Sequence, residues 1–376
     1  MKVLLRTPMS KYSGYGNDGI GLAQALVRYG ADVYLQTPHI DAPLPEDVAM
    51  LLTKELKAPF DLYINHADPM SLTFPEEMHA HADVAVAWTM WEYSNLGNMA
   101  AGPRRTLRKR LKPFDALLGY SGVDRDCFEP YYRGPIRIHQ GGFDPEPWPY
   151  VDRNWGANPF HFFMIGVLSP RKAPFAAVQA FTELQREHED FREHARLSLK
   201  TVAPGIHSGI EDAFPGVRVF YDVWPQETVR EFYSHQHVLL APSRGEGKNM
   251  PALEFMSTGG TVIATNWAGH RQWLNPDYSY AVDYKLEPQD IYTPDTLNAT
   301  VDIEDLKAKM LHVFRNRAEG RNKGEVASRI IPQMCSWDSV VEGLFLKLRD
   351  ALPVDKAERL WTAAQNAQMG ARRDRD

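Results

Sequence analysis

The stretch "HVLLAPSRGEGKNMPALEFMSTGGTVIATN", His237–Asn266, carries the pattern on which the fold reading turns. An apolar run, "HVLLAP", leads into a Gly-rich polar loop, and a helical pattern starts near Asn249. A second apolar run, "TVIATN", follows the helix. Runs rich in Val, Ile and Leu without polar alternation are strands buried on both faces. Two of them joined through a helix make the crossover unit of a parallel sheet.

The same alternation extends outward. Upstream lie "FHFFMIG" (Phe160–Gly166), "RLSLKTV" and "VRVFYDV", separated by helical patterns at Ala173–His188 and Gln226–His235. The segment "GGFDPEPWPYVDRNWGANP" concentrates Pro, Gly and Asn and reads as a linker. Before it, "KVLLR", "DVYLQ", "DLYINH", "DVAVAWT", "DALLGY" and "IRIH" repeat the strand pattern, with helices between most of them. The chain therefore predicts two tandem doubly wound α/β domains, 1–148 and 149–336, with the ligand in a cleft beyond the carboxyl ends of the strands. A helix at 337–352 and a frayed polar tail at 353–376 complete the expectation.

Composition narrows the function classes. The chain has 376 residues with 44% hydrophobic and 24% charged content, enough for two buried cores. A net charge of -6 argues against a protein whose main surface is a nucleic-acid groove. Two distant cysteines, Cys127 and Cys335, fit neither a disulfide framework nor a zinc site. No signal peptide is legible, and no apolar run reaches the ~18 residues of a membrane span. A cytoplasmic protein is expected.

Near the start, Gly14-Tyr-Gly16-Asn17-Asp-Gly19 spells G-x-G-x-x-G, which would suggest a dinucleotide cofactor. Its context is wrong. The residues Thr7 to Ser13 separate Gly14 from strand "KVLLR", and strand "DVYLQ" ends on Gln36 and Thr37 rather than an acid. The histidine pairs His79/His81 and His235/His237 lack a third ligand nearby, so no metal site is read. Asp124-Arg-Asp126 sits at a polar helix start, "SGVDRDCFE", and reads as a cap.

The chemistry concentrates at Ser243–His270. Glu246 lies in the loop before the helix and Glu254 about two turns later, giving Glu-x7-Glu. Backbone N–H groups from about Lys248 through Asn249 to Met250 favour an anion such as a diphosphate. The fuller form, "EGKNMPALEFMSTGGTVIAT", resembles the E-G-x-N-x-P-x-L-E-A-M-x-x-G-x-x-V-I-A-T pattern of GT-B glycosyltransferases, in particular the retaining family 4 enzymes. The Gly-rich segment after strand one, Gly142-Phe143-Asp144, "GVLSPRKAP" and the closing "SWDSVVEGLFLKL" extend the resemblance over most of the chain. "YSGYGNDGIGLAQAL" is similar to transferases of actinobacterial phages, which would place the protein in a host cytoplasm.

The resemblance implies a two-domain GT-B transferase moving a sugar from a UDP- or GDP-sugar to an acceptor hydroxyl. It implies retained anomeric configuration by a same-face route, with no cofactor and no metal. Glu254 would hold the ribose, Glu246 the transferred sugar, and Lys172 with Arg171 the diphosphate. Gly166 and the glycines Gly14 and Gly16 would admit the donor closely. Two departures stand out. Val167 replaces an arginine common after the glycine equivalent to Gly166, and Arg171 is the candidate substitute. "AWTMWEYSN" lacks the histidine often found near the sugar, which leaves Glu92, Trp88 and Asn17 as sugar-side or acceptor-side candidates. Glu92 reads equally as a capping carboxylate. Two other readings stay open: a different GT-B activity, such as a sugar-nucleotide epimerase or an inverting transferase, or a catalytically silent nucleotide-sugar-binding protein.

The acceptor and the oligomeric state are not legible. A glycan is one acceptor class, and phage kinship would add a modified DNA base or a structural protein. "RRTLRKRLK", Arg104–Lys112, places six basic residues in nine on a predicted helix, suited to an anionic acceptor or simply to solvent.

Overall fold

The computed structural model describes residues 1–10, 13–41, 43–73, 81–96, 101–202, 209–288 and 296–373. The chain divides into two compact units. The first comprises Met1–Asp144, Asp290–Thr296 and Cys335–Asp376; the second comprises Pro145–Gln289 and Leu297–Met334.

Unit 1 is built on six parallel strands: β1 (Lys2–Arg6), β2 (Asp32–Gln36), β3 (Phe60–His66), β4 (Ala82–Thr89), β5 (Ala116–Gly119) and β6 (Ile136–Ile138). Their order is β2-β1-β3-β4-β5-β6, with Val3 beside Val33 on one side and Leu62 on the other. The inner strands are almost wholly buried, as their unbroken apolar runs require. The helices here are α1 (Gly14–Arg28), α2 (Glu46–Leu52), α3 (Ala101–Leu111) and α4 (Gly122–Phe128). Ser121 and Asp124 form a reciprocal capping box on α4, so the Asp124-Arg-Asp126 motif is a cap as expected. On α3, Leu107 and Leu111 are buried in the core. Arg105, Lys109 and Lys112 are exposed.

Unit 2 repeats the plan with β7 (Phe160–Gly166), β8 (Ala195–Thr201), β9 (Val217–Tyr221), β10 (Val238–Ala241), β11 (Thr261–Thr265) and β12 (Tyr280–Val282). The order is β12-β11-β10-β7-β8-β9, all parallel. Its helices are α5 (Pro174–Glu187), α6 (Glu189–His194), α7 (Ile210–Ala213), α8 (Gln226–Ser234), α9 (Met250–Ser257), α10 (Ile303–Arg315) and α11 (Arg317–Cys335). Two further strands, β13 (Tyr284–Pro288) and β14 (Leu297–Val301), pair antiparallel, an element the sequence pattern does not announce.

Two expectations are corrected. The Pro-rich stretch at 141–159 is packed rather than loose. Phe143, Trp148, Arg153 and Trp155 are all buried, and the unit boundary falls at Asp144–Pro145. Four aromatic or cationic side chains needing cover outweigh the loop-like prolines. The expected polar tail is a helix. After α12 (Trp337–Arg349), α13 runs from Val354 to Arg373. It buries Ala357, Leu360, Ala364 and Ala367 on one face, and Lys356 pairs with Asp115 at 2.7 Å. A stripe made mostly of alanine is too weakly hydrophobic to stand out in sequence, yet it lets the helix approach closely.

Both α12 and α13 belong to the core of unit 1. Leu360→Ala should therefore destabilise the protein by about 2–4 kcal/mol. Urea unfolding measures this, and a loss within error of zero would mean that α13 does not contribute to the core.

Candidate functional site

In a doubly wound sheet the ligand crevice opens where crossovers leave in opposite directions. In unit 2 this point lies between β7 and β10, because β8 and β9 extend the sheet one way and β11 and β12 the other. The loop after β7 carries Arg171 and Lys172, and the loop after β10 carries Glu246. The structure brings these three side chains together. Lys172 Nζ meets Glu246 Oε1, and Arg171 Nη1 lies 3.4 Å from Glu246 Oε2. Glu246 is only 4% exposed. Burial pushes its carboxyl upward, but the Lys172 ammonium and the Arg171 guanidinium outweigh that and hold it at about 2.

The loops are laced by backbone as well. Arg244 N–H donates to the Arg171 carbonyl at 2.8 Å, and Ser243 Oγ donates to the same oxygen at 3.1 Å. Arg171 Nη1 in turn reaches the Gly245 carbonyl. Gly269 N–H donates to the Glu246 carbonyl at 2.9 Å, and Trp273 Nε1 donates to the Lys248 carbonyl at 2.8 Å. A Cβ on Gly269 would sit 1.8 Å from the Gly247 carbonyl oxygen, so only glycine allows this approach.

Backbone strain gathers at the same place. Among the described residues, the non-glycine positions with positive φ are Ala173 (50°), Asn249 (65°) and Ala268 (51°). They follow Lys172, open α9 and precede Gly269, respectively. Such conformations cost on the order of 1 kcal/mol each and persist where surrounding contacts impose them, which is common at functional sites. Gly166 ends β7 at φ 128°, where a side chain would be strained, and nothing of the protein lies within 4 Å of a Cβ placed there. Val167 beside it is exposed and brings no charge.

Glu254 lies on α9, partly buried, and Tyr233 Oη donates to its Oε2 at 3.3 Å. Burial raises its carboxyl to about 7 against the smaller opposing pulls of Tyr233 and Lys248. Lys248 itself is buried, and Met250 begins α9.

The candidates in unit 1 fare differently. Gly14, Gly16 and Asn17 form the first turn of α1 rather than a loop, capped by Ser13 Oγ accepting from Gly16 N–H at 3.1 Å. A Cβ on Gly16 would strike Ser10 at 2.3 Å, so the close packing of α1 on the preceding loop requires glycine here. Gly14 has open space around it, and Asn17 is exposed. Glu92 is half-buried. Trp88 is fully buried, and its indole N–H is spent on the His139 carbonyl at 3.0 Å. It is a core residue with no surface to offer an acceptor, which corrects its assignment.

Sequence reasoning missed His270 and Tyr233. His270 Nδ1 lies 3.0 Å from the Thr265 carbonyl and can only donate to it, so Nε2 accepts from Asn249 Nδ2 at 3.0 Å. Burial keeps the ring neutral, at about 4. The available signal was a histidine shortly after strand "TVIATN", but no spacing rule isolates it. His237, one of the suspected histidines, is structural: its Nδ1 accepts from His161 N–H at 3.0 Å. Of the other pair, His79/His81, His79 lies outside the described residues.

Residues 159–293 match the glycosyl transferases group 1 family. Similar solved structures cover nearly the whole chain. Sucrose-phosphate synthase from Thermosynechococcus elongatus superposes with TM-score 0.64 at 14% identity, covering 93% of this chain and 98% of that one. HepE from Anabaena, in complex with UDP and glucose, gives 0.63 at 12% identity over 93% and 100%. WaaG, a glycosyltransferase involved in lipopolysaccharide biosynthesis, gives 0.61 at 12% over 92% and 99%. A comparison with curated protein sequences gives no match. The fold is GT-B, and within it residues 159–293 are the segment similar to glycosyl transferases group 1.

Glu254 supplies a pH test of this geometry. Its folded-state value of about 7 lies above the ordinary 4.5, so the folded protein holds a proton that the unfolded chain releases. That contribution is complete below the ordinary value and is lost as pH rises through the folded one. Relative to Glu254→Gln, the wild type should lose on the order of 1–3 kcal/mol between acidic and mildly basic pH. Urea unfolding at both pH values measures this; a pH-independent difference would show that Glu254 is not held this way.

Proposed function

We propose that the protein is a retaining glycosyltransferase that moves a sugar from a UDP- or GDP-sugar to an acceptor hydroxyl without a metal ion. The observation that carries this reading is the buried Glu246 carboxylate clasped by Lys172 and Arg171 at the switch point of unit 2. Cations fixed in the loop after β7 suit a diphosphate, whose negative charge grows as the glycosidic bond breaks. The chain's likeness to a HepE structure holding UDP and glucose favours UDP among the donors. Glu254, on the second turn of α9, is assigned to the ribose hydroxyls.

Glu246 is assigned to positioning the sugar. A double displacement would need a carboxylate nucleophile, whereas a carboxylate held at about 2 by two cations is a poor base and a poor nucleophile. The leaving phosphate then takes the acceptor proton on the same face. Gly14, Asn17 and Glu92 stay with the first unit as its candidates for sugar or acceptor contact. A phage origin, a host-cytoplasmic setting and a macromolecular acceptor belong to this reading as well. No helix among the described residues is long and apolar enough to cross a membrane.

With a competent donor, Glu254→Ala should weaken donor binding by roughly 10- to 150-fold, the worth of a charged hydrogen bond. Glu246→Gln should chiefly lower kcat, and EDTA should leave the rate unchanged. Titration calorimetry, steady-state kinetics and NMR of the product anomer measure these. Wild-type behaviour of both variants, metal-restorable loss in EDTA, or an inverted product would each overturn the corresponding assignment.

On the acceptor side, the exposed bases of α3 suit an anionic acceptor. Changing Arg105, Lys109 and Lys112 together to Gln should raise the acceptor KM and flatten its salt dependence while donor binding holds. Unchanged acceptor kinetics at low salt would leave α3 a solvated surface.

A further inference from the structure

Glu254 is not held by its own helix. Its partner is Tyr233, which arrives from α8 and is completely buried. The phenol ring is wedged among Trp148, Phe163 and Phe255, with ring centres 5.3, 5.6 and 5.3 Å away. Behind it, Arg153 Nη2 reaches the Tyr233 carbonyl at 3.4 Å and Thr258 Oγ1 at 2.8 Å. Arg153 Nη1 donates to the Thr258 carbonyl at 3.0 Å. The guanidinium thus ties the carboxyl end of α8 to that of α9, and the aromatic cluster fixes where the Tyr233 hydroxyl points. Burial and the Glu254 charge raise the phenol well above its ordinary range, so Tyr233 stays protonated and donates.

Resting on the assignment of Glu254 to the donor ribose, we propose that Tyr233 is a positioning residue that holds the Glu254 carboxylate as a ribose acceptor and ties donor binding to ionisation of Glu254. The physical reason is competition. A carboxyl half-withdrawn from water prefers its proton, and a protonated carboxyl has lost acceptor capacity toward a pair of ribose hydroxyls. Two groups oppose that tendency: Tyr233 from α8 and Lys248 from the loop before α9. The guanidinium of Arg153 is committed to the Tyr233 carbonyl and to Thr258. Tyr233 is the one that makes a directional hydrogen bond, so it sets both the orientation of the carboxylate and the pH at which it becomes available.

Two measurements on the full chain test this. The first follows the Glu254 side-chain carbonyl by NMR in 13C-glutamate-labelled protein without ligand, with Glu254→Gln assigning the resonance. Tyr233→Phe keeps the ring and removes the donor, so the midpoint should move up by about half to one pH unit. The second measures UDP-glucose binding against pH. This probe has no terminal phosphate, whose second ionisation near about 6 would otherwise intrude. Wild-type affinity should fall by about tenfold per pH unit below the midpoint, Tyr233→Phe should show the same profile displaced upward, and Glu254→Gln should bind weakly with no such profile. An unmoved NMR midpoint in Tyr233→Phe overturns the positioning role. A moved midpoint with binding indifferent to Glu254 overturns the ribose assignment and leaves Tyr233 in control of the carboxyl. If Tyr233→Phe does not fold, Arg153→Lys loosens the same clamp from behind, and an unmoved midpoint there overturns the proposal equally.

Discussion

A carboxylate buried to 4% exposure between two loops is the constraint around which unit 2 is organised. A charge withdrawn from water is tolerable only if paired, and Glu246 is paired twice, with Lys172 and Arg171. Those cations stand at the end of β7, while the acid stands at the end of β10, so the ion cluster bridges the topological switch point of the sheet. Everything nearby serves to keep the three groups there. Three residues accept left-handed backbone, Gly269 presses onto the Gly247 carbonyl, and His270 clamps Asn249 at the start of α9.

The corresponding point in unit 1 is handled in the opposite way. There the sheet reverses between β1 and β3. The gap is closed by a buried chain of hydrogen bonds: Thr7 Oγ1 to His66 Nδ1 at 2.9 Å, His66 Nε2 to Tyr120 Oη at 3.0 Å, and Tyr120 Oη donating to Asp18 Oδ2 at 2.7 Å. Because Asp18 sits on α1, this chain pins the helix to the strand ends, and Gly16 and Gly19 let it come close. The glycines that spelled a dinucleotide motif are therefore mainly packing glycines. One unit presents charge at its switch point, and the other fills it with a satisfied polar network.

Glu254 shows why a pair of acids in one motif need not share a chemistry. Glu246 is paired with two cations and held low, at about 2, whereas Glu254 is partly buried beside the Tyr233 phenol and is pushed to about 7. Their environments are set by different elements, the loop after β7 for one and α8 for the other. Seven intervening residues say nothing of that difference.

The amino-acid sequence by itself determined the two parallel sheets, because strands buried on both faces must be written as unbroken apolar runs. It also determined that Arg171, Lys172 and Glu246 stand just beyond strand ends, since chain order alone places loop residues there. Tertiary structure decided the rest. Whether α13 packs depended on alanines that carry almost no signal until a groove is present for them. Whether Trp88 faces ligand or core depended on its tertiary neighbours, and Tyr233 meets Glu254 and His270 meets Asn249 only because α8 and the loop after β11 were brought against α9. Local pattern encodes which backbone forms; which side chains meet is a property of contacts distant in sequence, and no local pattern contains them.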